Sequence, residues 1–436
     1  MEKLEDIRNG VIFYDDTSLL DLAKEFKTPL KVTFLDVIKY RVNTLKESFN
    51  KAINDLGYHG KFIYLNANKA NYGYKEVTTA FACGDGLETS SHYDLMFSMK
   101  LFLENKEMIN KYLVLNGYKD DNYLNEFVKA SSMKENVIDI IDSLDEYERL
   151  KKINKELNVG LRVHIPSLYA HGDEAKDDRF GLTDREFDYV LSDICNTNLI
   201  LSTIHFHQRG FDYEKEKFEK NFLKVFENYY VKASKLYPSV CNYDIGGGTP
   251  LPLDNNFDYL EWAHYVIGLL KEESLRFGVK EPNLMSENGK YSQKDSTVNI
   301  YKVIVKKNTG EYPWYVVDGS LLIALPEMYA LGEPIKITPI NGLDEKKAKV
   351  RLAGVTCDCD DVYFTKEGYV EVPDIDEVYI GLLGTGSYQN SMNGKRGVHH
   401  CMLPEEKDVV IETVDGKLTK TVRNKLQTID EIMKLV

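Results

Sequence analysis

The chain has 436 residues, 43% of them hydrophobic, which is more than one core usually organises and enough for two domains, one of them large enough to be a barrel. Its 55 Lys+Arg against 69 Asp+Glu give a formal net charge of -14, which argues against a nucleic-acid partner, because phosphate backbones are held by basic surfaces, and mildly favours cationic small molecules. The opening MEKLEDIRNG has no apolar stretch behind a basic one, and nowhere does an apolar run reach the roughly 18 residues of a membrane span, so a soluble, cytoplasmic protein with no membrane partner is expected.

Residues 1–30, with GVIFYDD, are assigned to an N-terminal segment that packs with a β domain further along the chain. From 31 to 292 short apolar runs alternate with segments of helical period. The runs include KFIYLNA (61–67), YLVLNG (112–117), VGLRVHI (159–165), LILSTIHFH (199–207), VCNYDIGG (240–247) and PNLMSE (282–287), and 213–236 has the spacing of an amphipathic helix. Repeated strand-then-helix units of this length predict a parallel sheet, and this many of them predict a (β/α)8 barrel of the TIM type. From 293 to 436 the texture becomes β-branched and aromatic, in VNIYKVIVKKN, WYVVDGS, IKITPI, KVRLAGVTC, EVYIGLL and DVVIETV, which predicts a mostly antiparallel β-barrel or sandwich domain.

The polar residues of the first region gather at the strand ends, the catalytic face of such barrels. Lys69 stands between two asparagines just past KFIYLNA, a position where lysines ordinarily solvate a loop. YDIGGGTPLP places Gly246, Gly247 and Gly248 after an apolar strand, where bare backbone N–H groups can approach a phosphate. A tight turn is the competing reading, and the spacing is not that of a dinucleotide fingerprint. Adding Glu287 in LMSENGKYS and His207 in IHFHQRG gives an amine, an anion nest, a carboxylate and an imidazole, the set that pyridoxal phosphate requires. The six cysteines, Cys83, Cys195, Cys241, Cys357, Cys359 and Cys401, are too sparse for a disulfide scaffold, and Cys357 and Cys359 lack the CxxC spacing of a zinc site, so reduced thiols and no metal are expected.

Taken in order, NKANYG, GDGLETSS, LRVHIP, DDRFGL, HFH, YDIGGGTP, SENGKYS, VTCDCDD and GTGSYQNS resemble the motif series of the fold-type III pyridoxal-phosphate decarboxylases, the arginine, ornithine and diaminopimelate group. SLLIALPEMYALGEPIKITPIN and YIGLLGTGSYQNSMNGKRGVHHCMLP are most similar to compact biosynthetic-type arginine decarboxylases. The resemblance implies that Lys69 holds the cofactor covalently, His207 stacks on its ring and Glu287 bonds the ring nitrogen. It also implies that Gly246, Gly247, Gly248, Lys290 and Tyr388 surround the phosphate, while Glu88 and Arg162 line the pocket. Cys357 matches a cysteine that enters the partner subunit's site and protonates the product. Asp318, Asp358 and Asp361 match acids that attract a substrate's distal cation. A homodimer with shared active sites follows from that exchange.

The implied reaction is decarboxylation of a basic amino acid, foremost L-arginine to agmatine and CO2 in polyamine-type metabolism, with ornithine, lysine or another basic amino acid as alternatives. A non-catalytic regulatory homologue is the reading from a different class, whose mark would be loss of the lysine, acid or cysteine. Two departures from the family pattern stand out: Arg209 and Gly210 replace the usual Gly-Ser after the stacking histidine, and Glu287-Asn288-Gly289-Lys290 replaces Glu-Pro-Gly-Arg, which gives up bidentate geometry toward phosphate.

Overall fold

Eight strands close into a parallel barrel in simple chain order: β1 (Phe62–Ala67), β2 (Gly86–Thr89), β3 (Tyr112–Leu115), β4 (Val137–Ile141), β5 (Leu157–Arg162), β6 (Leu199–His205), β7 (Asn242–Asp244) and β8 (Asn283–Asn288), with β8 pairing back onto β1. This computed structural model describes residues 4–165, 179–208, 215–251, 257–332, 335–363 and 365–436. The barrel belongs to one compact unit, Lys39–Tyr291, and a second unit joins Met1–Ile38 to Ser292–Val436. Among the described residues no helix is long and apolar enough to cross a membrane.

The strands form where β-branched and aliphatic residues run together. All six residues of β1 are buried, because parallel strands are covered on both faces. Ile63, Leu65, Val114, Ile138, Ile140 and Met285 fill the barrel interior. Between β6 and β7 the segment expected as one amphipathic helix is Lys215–Val225, a π-helical turn Phe226–Tyr230 and Val231–Leu236. Its apolar stripe presents Phe222, Phe226 and Tyr230 to the ring of Tyr243 on β7 at centroid distances of 5.2, 5.4 and 5.7 Å. Residues 213 and 214 of the expected helix lie outside the described residues.

The second unit is organised on one long strand, Thr297–Lys307, which pairs antiparallel with Leu30–Phe34, Trp314–Val317 and Tyr379–Leu383. Its pairing is mostly antiparallel, as expected, but Leu30–Phe34 also runs parallel to Lys407–Val414, and Trp314–Val317 parallel to Lys347–Ala353. Residues 31–38, placed with the barrel by the sequence reading, therefore belong to the β unit, since the strand Leu30–Phe34 is hydrogen-bonded on both sides within it. Ile12, Tyr14, Leu19 and Leu22 share a core with Val298, Ile300 and Val409.

One ionic cluster braces the barrel wall. The ammonium of Lys119, with no solvent exposure, lies 3.0 Å from Glu146 Oε1 and 3.5 Å from Asp139 Oδ1 and donates to the carbonyl of Ile140 at 2.8 Å. Burial pushes the Glu146 carboxyl well up, and one cation serves both buried acids. Lys119→Met is expected to leave those acids without a cation and to lower unfolding free energy by about 3–5 kcal/mol, measured by urea titration of the full chain.

Candidate active site

The polar residues at the C-terminal ends of the barrel strands meet in one buried network. Lys69 follows β1 in a single 3-10 turn, Asn68–Ala70. Buried Asn68 anchors that turn, its Nδ2 donating to Asp94 Oδ1 at 3.0 Å and to Ser98 Oγ at 2.9 Å. The Lys69 side chain keeps 38% of its exposure, and its Nζ lies 3.1 Å from Oε1 of Glu88 on β2, which is fully buried. Asn116, just past β3, donates from Nδ2 to Glu88 Oε1 at 3.0 Å and to Glu287 Oε1 at 2.6 Å. One amide thus joins the carboxylate beside Lys69 to the carboxyl of β8.

Glu287 sits among acids and away from water, and burial first, then Asp244, pushes its carboxyl up to about 8. Asp244 at the end of β7 is pushed up to about 7, again chiefly by burial. His205 at the end of β6 has its ring Nδ1 3.2 Å from Asp244 Oδ2 and 3.7 Å from Glu287 Oε1, and burial lowers it to about 4, a neutral imidazole. Arg162 at the end of β5 lies 3.5 Å from Asp142 and stacks over Phe180 at 4.4 Å.

The glycine run crosses these strand ends closely. Gly246 and Gly248 have φ of +65° and +102°, conformations that favour glycine. A Cβ on Gly246 would sit 2.6 Å from His207 Nδ1, and one on Gly247 2.8 Å from the Glu287 carbonyl. The Gly247 amide donates to His207 Nδ1 at 3.2 Å, which fixes the half-buried imidazole against the run. After Glu287, Asn288 accepts from the Thr249 hydroxyl at 2.6 Å, and Gly289 packs so tightly on the Lys69 turn that a Cβ would lie 2.7 Å from Ala70 Cβ. Half-buried Lys290 begins the short helix Lys290–Gln293. Arg209 and Gly210 lie outside the described residues.

Lys69, Glu88, His207, the three glycines, Glu287 and Arg162 are thus strand-end residues of one barrel. Asn116, His205 and Asp244 join them without having been singled out. A signal for His205 was present in HFH, where alternate residues of a strand share a face, and for Asp244 in the residue preceding the glycine run. Glu88 Oε2, Asn116 Oδ1, His205 Nδ1 and Asp244 Oδ2 are buried without a hydrogen-bond partner. Such orphaned acceptors and donors around a carboxyl, with an amine on one side and bare glycine backbone on the other, fit a polar, anionic aromatic cofactor.

The remaining candidates belong to the β unit. Asp318 is half-buried and accepts from Thr28 Oγ1 at 2.6 Å and from the Lys302 amide at 2.8 Å. It lines a cavity with Asn299, Thr385, His399 and Glu406. Exposed Cys357 has its Sγ 3.5 Å from that of Cys401, a contact that pushes its thiol up. Asp358 faces His400 Nε2 at 3.4 Å. Asp361 is buried in its own loop, accepting from Ser320 Oγ, the Leu322 amide, and both the amide and hydroxyl of Thr356. Tyr388 is half-buried with φ of +58° between buried Ser387 and Gln389.

Residues 42–293 match the family described as pyridoxal-dependent decarboxylase, pyridoxal binding domain. The biosynthetic arginine decarboxylase of Prochlorococcus marinus (strain MIT 9301) is 29% identical over 316 residues, covering 66% of this chain and 48% of that protein. This chain therefore spans about half the length of the curated relatives it matches. A biosynthetic arginine decarboxylase from Campylobacter jejuni superposes with a TM-score of 0.87 at 19% identity over 100% of this chain and 90% of that one. Diaminopimelate decarboxylase from M. jannaschii superposes at 0.81 and 19%, over 99% and 97% of the two chains. At these identities the superpositions establish the fold alone.

Gly289→Ala is expected to push the Lys69 turn off β8, lowering stability by about 1–3 kcal/mol in a urea titration and weakening retention of added pyridoxal phosphate on a desalting column.

Proposed function

This chain is a member of the pyridoxal-dependent decarboxylase family, and on that premise we propose that it removes the α-carboxylate of a basic amino acid, foremost L-arginine, giving agmatine and CO2. The single observation that carries the reading is the path Lys69–Glu88–Asn116–Glu287, which sets an amine and a buried carboxyl on one hydrogen-bonded line at the barrel mouth. When bound, pyridoxal phosphate supplies an electron-withdrawing ring that accepts the electron pair left behind as the carboxylate departs.

The residues of this chain do the rest. Lys69 would hold the cofactor through its amine, and Glu88 Oε1 orients that amine. The carboxyl of Glu287 would bond the ring nitrogen, with Asn116 keeping its Oε1 aimed. His207, fixed by the Gly247 amide, would cover one face of the ring. The backbone of Gly246, Gly247 and Gly248 would take the phosphate, with Lys290 and Tyr388 as further candidates for it and Arg162 lining the pocket. In the β unit, Cys357 is proposed to return the proton to the product's α-carbon in the partner subunit's site, which makes the working enzyme a homodimer. Asp318 and Asp358 are proposed to attract the substrate's distal cation. The acidity of these candidates supports a basic amino acid, and the name of the relatives supports arginine among them. We read the setting as the cytoplasm and the product as entering polyamine-type metabolism.

The test is release of CO2 from L-arginine, L-ornithine and L-lysine, each incubated with the cofactor-loaded full chain, and arginine is expected to be fastest. If none of the basic amino acids yields CO2 from protein that has taken up cofactor, the proposal fails. Lys69→Ala is expected to lose the colour that borohydride fixes to the protein and to drop CO2 release to background. Cys357→Ala should keep that colour while product formation slows by roughly 10²–10⁴-fold, read as agmatine formed per unit time.

A further inference from the structure

Three side chains converge beneath the proposed ring-nitrogen position from adjacent strands: His205 and Asp244 are direct register partners of β6 and β7, and Glu287 stands two residues beyond Met285, the partner of Asp244 on β8. All three are essentially closed to solvent. One donor or acceptor atom from each lies within 4.8 Å of the others. Asp244 Oδ1 accepts from the Gly246 amide at 2.9 Å, and the Glu287 amide donates to the Gly246 carbonyl at 2.8 Å, so both carboxyl-bearing strands are tied to the same glycine.

Two carboxyl groups this close in a dry site do not both ionise, since like charges in low dielectric repel and neither has water to relax into. The nearest imidazole does not neutralise the pair, because it is itself too buried to carry a charge. The other charged groups that face the pair are Lys69 past β1, Glu88 on β2, Asp142 past β4 and Arg162 on β5. Lys69 is already paired with Glu88, and Arg162 with Asp142.

We propose that Asp244 and Glu287 form a dyad that shares one proton, held through Gly246 and flanked by His205, in which Asp244 is a positioning residue that sets the charge Glu287 presents to the cofactor's ring nitrogen. This rests on the decarboxylase reading above. Asp244 does not touch the ring in this scheme. It can take the shared proton, so that Glu287 presents a carboxylate to a ring nitrogen that arrives carrying a proton while Asp244 becomes the protonated partner.

The experiment is an infrared titration of the apoprotein, following the carbonyl stretch of protonated carboxyl groups from pH 5 to pH 9 in the parent, Asp244→Asn and Glu287→Gln. Because burial also pushes up Glu146, Asp94 and Glu406, the dyad is read as the component of the parent's titration above pH 6 that is altered in both variants. Each variant removes the like-charged neighbour, so the midpoint should fall by at least about one pH unit in both. A structural role alone would leave the midpoint in place while lowering stability. An unmoved midpoint in either variant overturns the proposal, and if one variant fails to fold the other decides. Adding pyridoxal phosphate to the parent at pH 7 should shift the band as the shared proton passes from Glu287 to Asp244. A band that titrates and shifts as expected, in protein that takes up no pyridoxal phosphate, would leave the shared proton standing while overturning both the function reading and the role given to Asp244.

Discussion

The barrel mouth depends on the side-chain amide of Asn116. Glu88 and Glu287 are buried carboxyl groups on β2 and β8, separated by β1, and Asn116 Nδ2 donates to one oxygen of each, at 3.0 and 2.6 Å. Buried acids without donors are among the most unfavourable groups a protein can hold. By supplying a donor to both, the amide makes it tolerable to place two acids where a reaction can use them. It also fixes their separation, so that the oxygen facing Lys69 and the oxygen facing His205 belong to one rigid frame. An alanine there would leave two carboxyl groups to find other partners or to move. An aspartate would add a third acid and remove the donor.

Much of this frame was legible in the sequence, and the parts that were not share a physical reason. KFIYLNA, LILSTIHFH and PNLMSE announce buried parallel strands because nearly every residue must face apolar surroundings, and Gly246–Gly248 announce a close backbone approach because three bare Cα positions in succession have little other use. Asn116 was in plain view as the asparagine of YLVLNG, yet an asparagine before a glycine is ordinary turn chemistry, and nothing local tells a turn former from a bridge between two carboxyl groups. Asp244 was hidden in the same way by its glycines. The strand GLET of β2 is too short and too polar to read as a barrel strand, and it is found in the fold because Glu88 is buried and bonded there. In the β unit the obstacle was distance along the chain. Leu30–Phe34 joins strands that begin at residues 297 and 407, and such long-range pairing leaves no trace in local periodicity.

The departure Asn288-Gly289-Lys290 acquires a meaning from these contacts. A proline at 288 would have no amide to give, but what the asparagine contributes is its side chain, whose oxygen accepts from Thr249 one residue past the glycine run. The end of β8 is thereby pinned to the loop proposed to hold phosphate. Gly289 then lets the chain pass over the Lys69 turn at a distance no side chain would allow. Three consecutive residues, Glu287, Asn288 and Gly289, thus tie the end of β8 to the glycine run on one side and to the Lys69 turn on the other.

A similar division of labour runs through the acids of TCDCDD. Asp361 is turned inward, and its two oxygens accept four hydrogen bonds from Ser320, Leu322 and Thr356, which gathers the segment after Trp314–Val317 and the loop bearing Cys357 around one carboxylate. A carboxylate so fully bonded has little capacity left for a substrate cation, and its contribution is to hold its neighbours still. Asp358, three residues earlier, keeps 31% of its side chain exposed, faces His400 Nε2 at 3.4 Å and accepts from the Asp360 amide at 2.9 Å, so its carboxylate is the more open of the two. Identical side chains in one short motif thus stand in different surroundings, one closed by four hydrogen bonds and the other partly open to solvent. Spacing alone cannot reveal that distinction, because it is set by the path of the loop around Ser320.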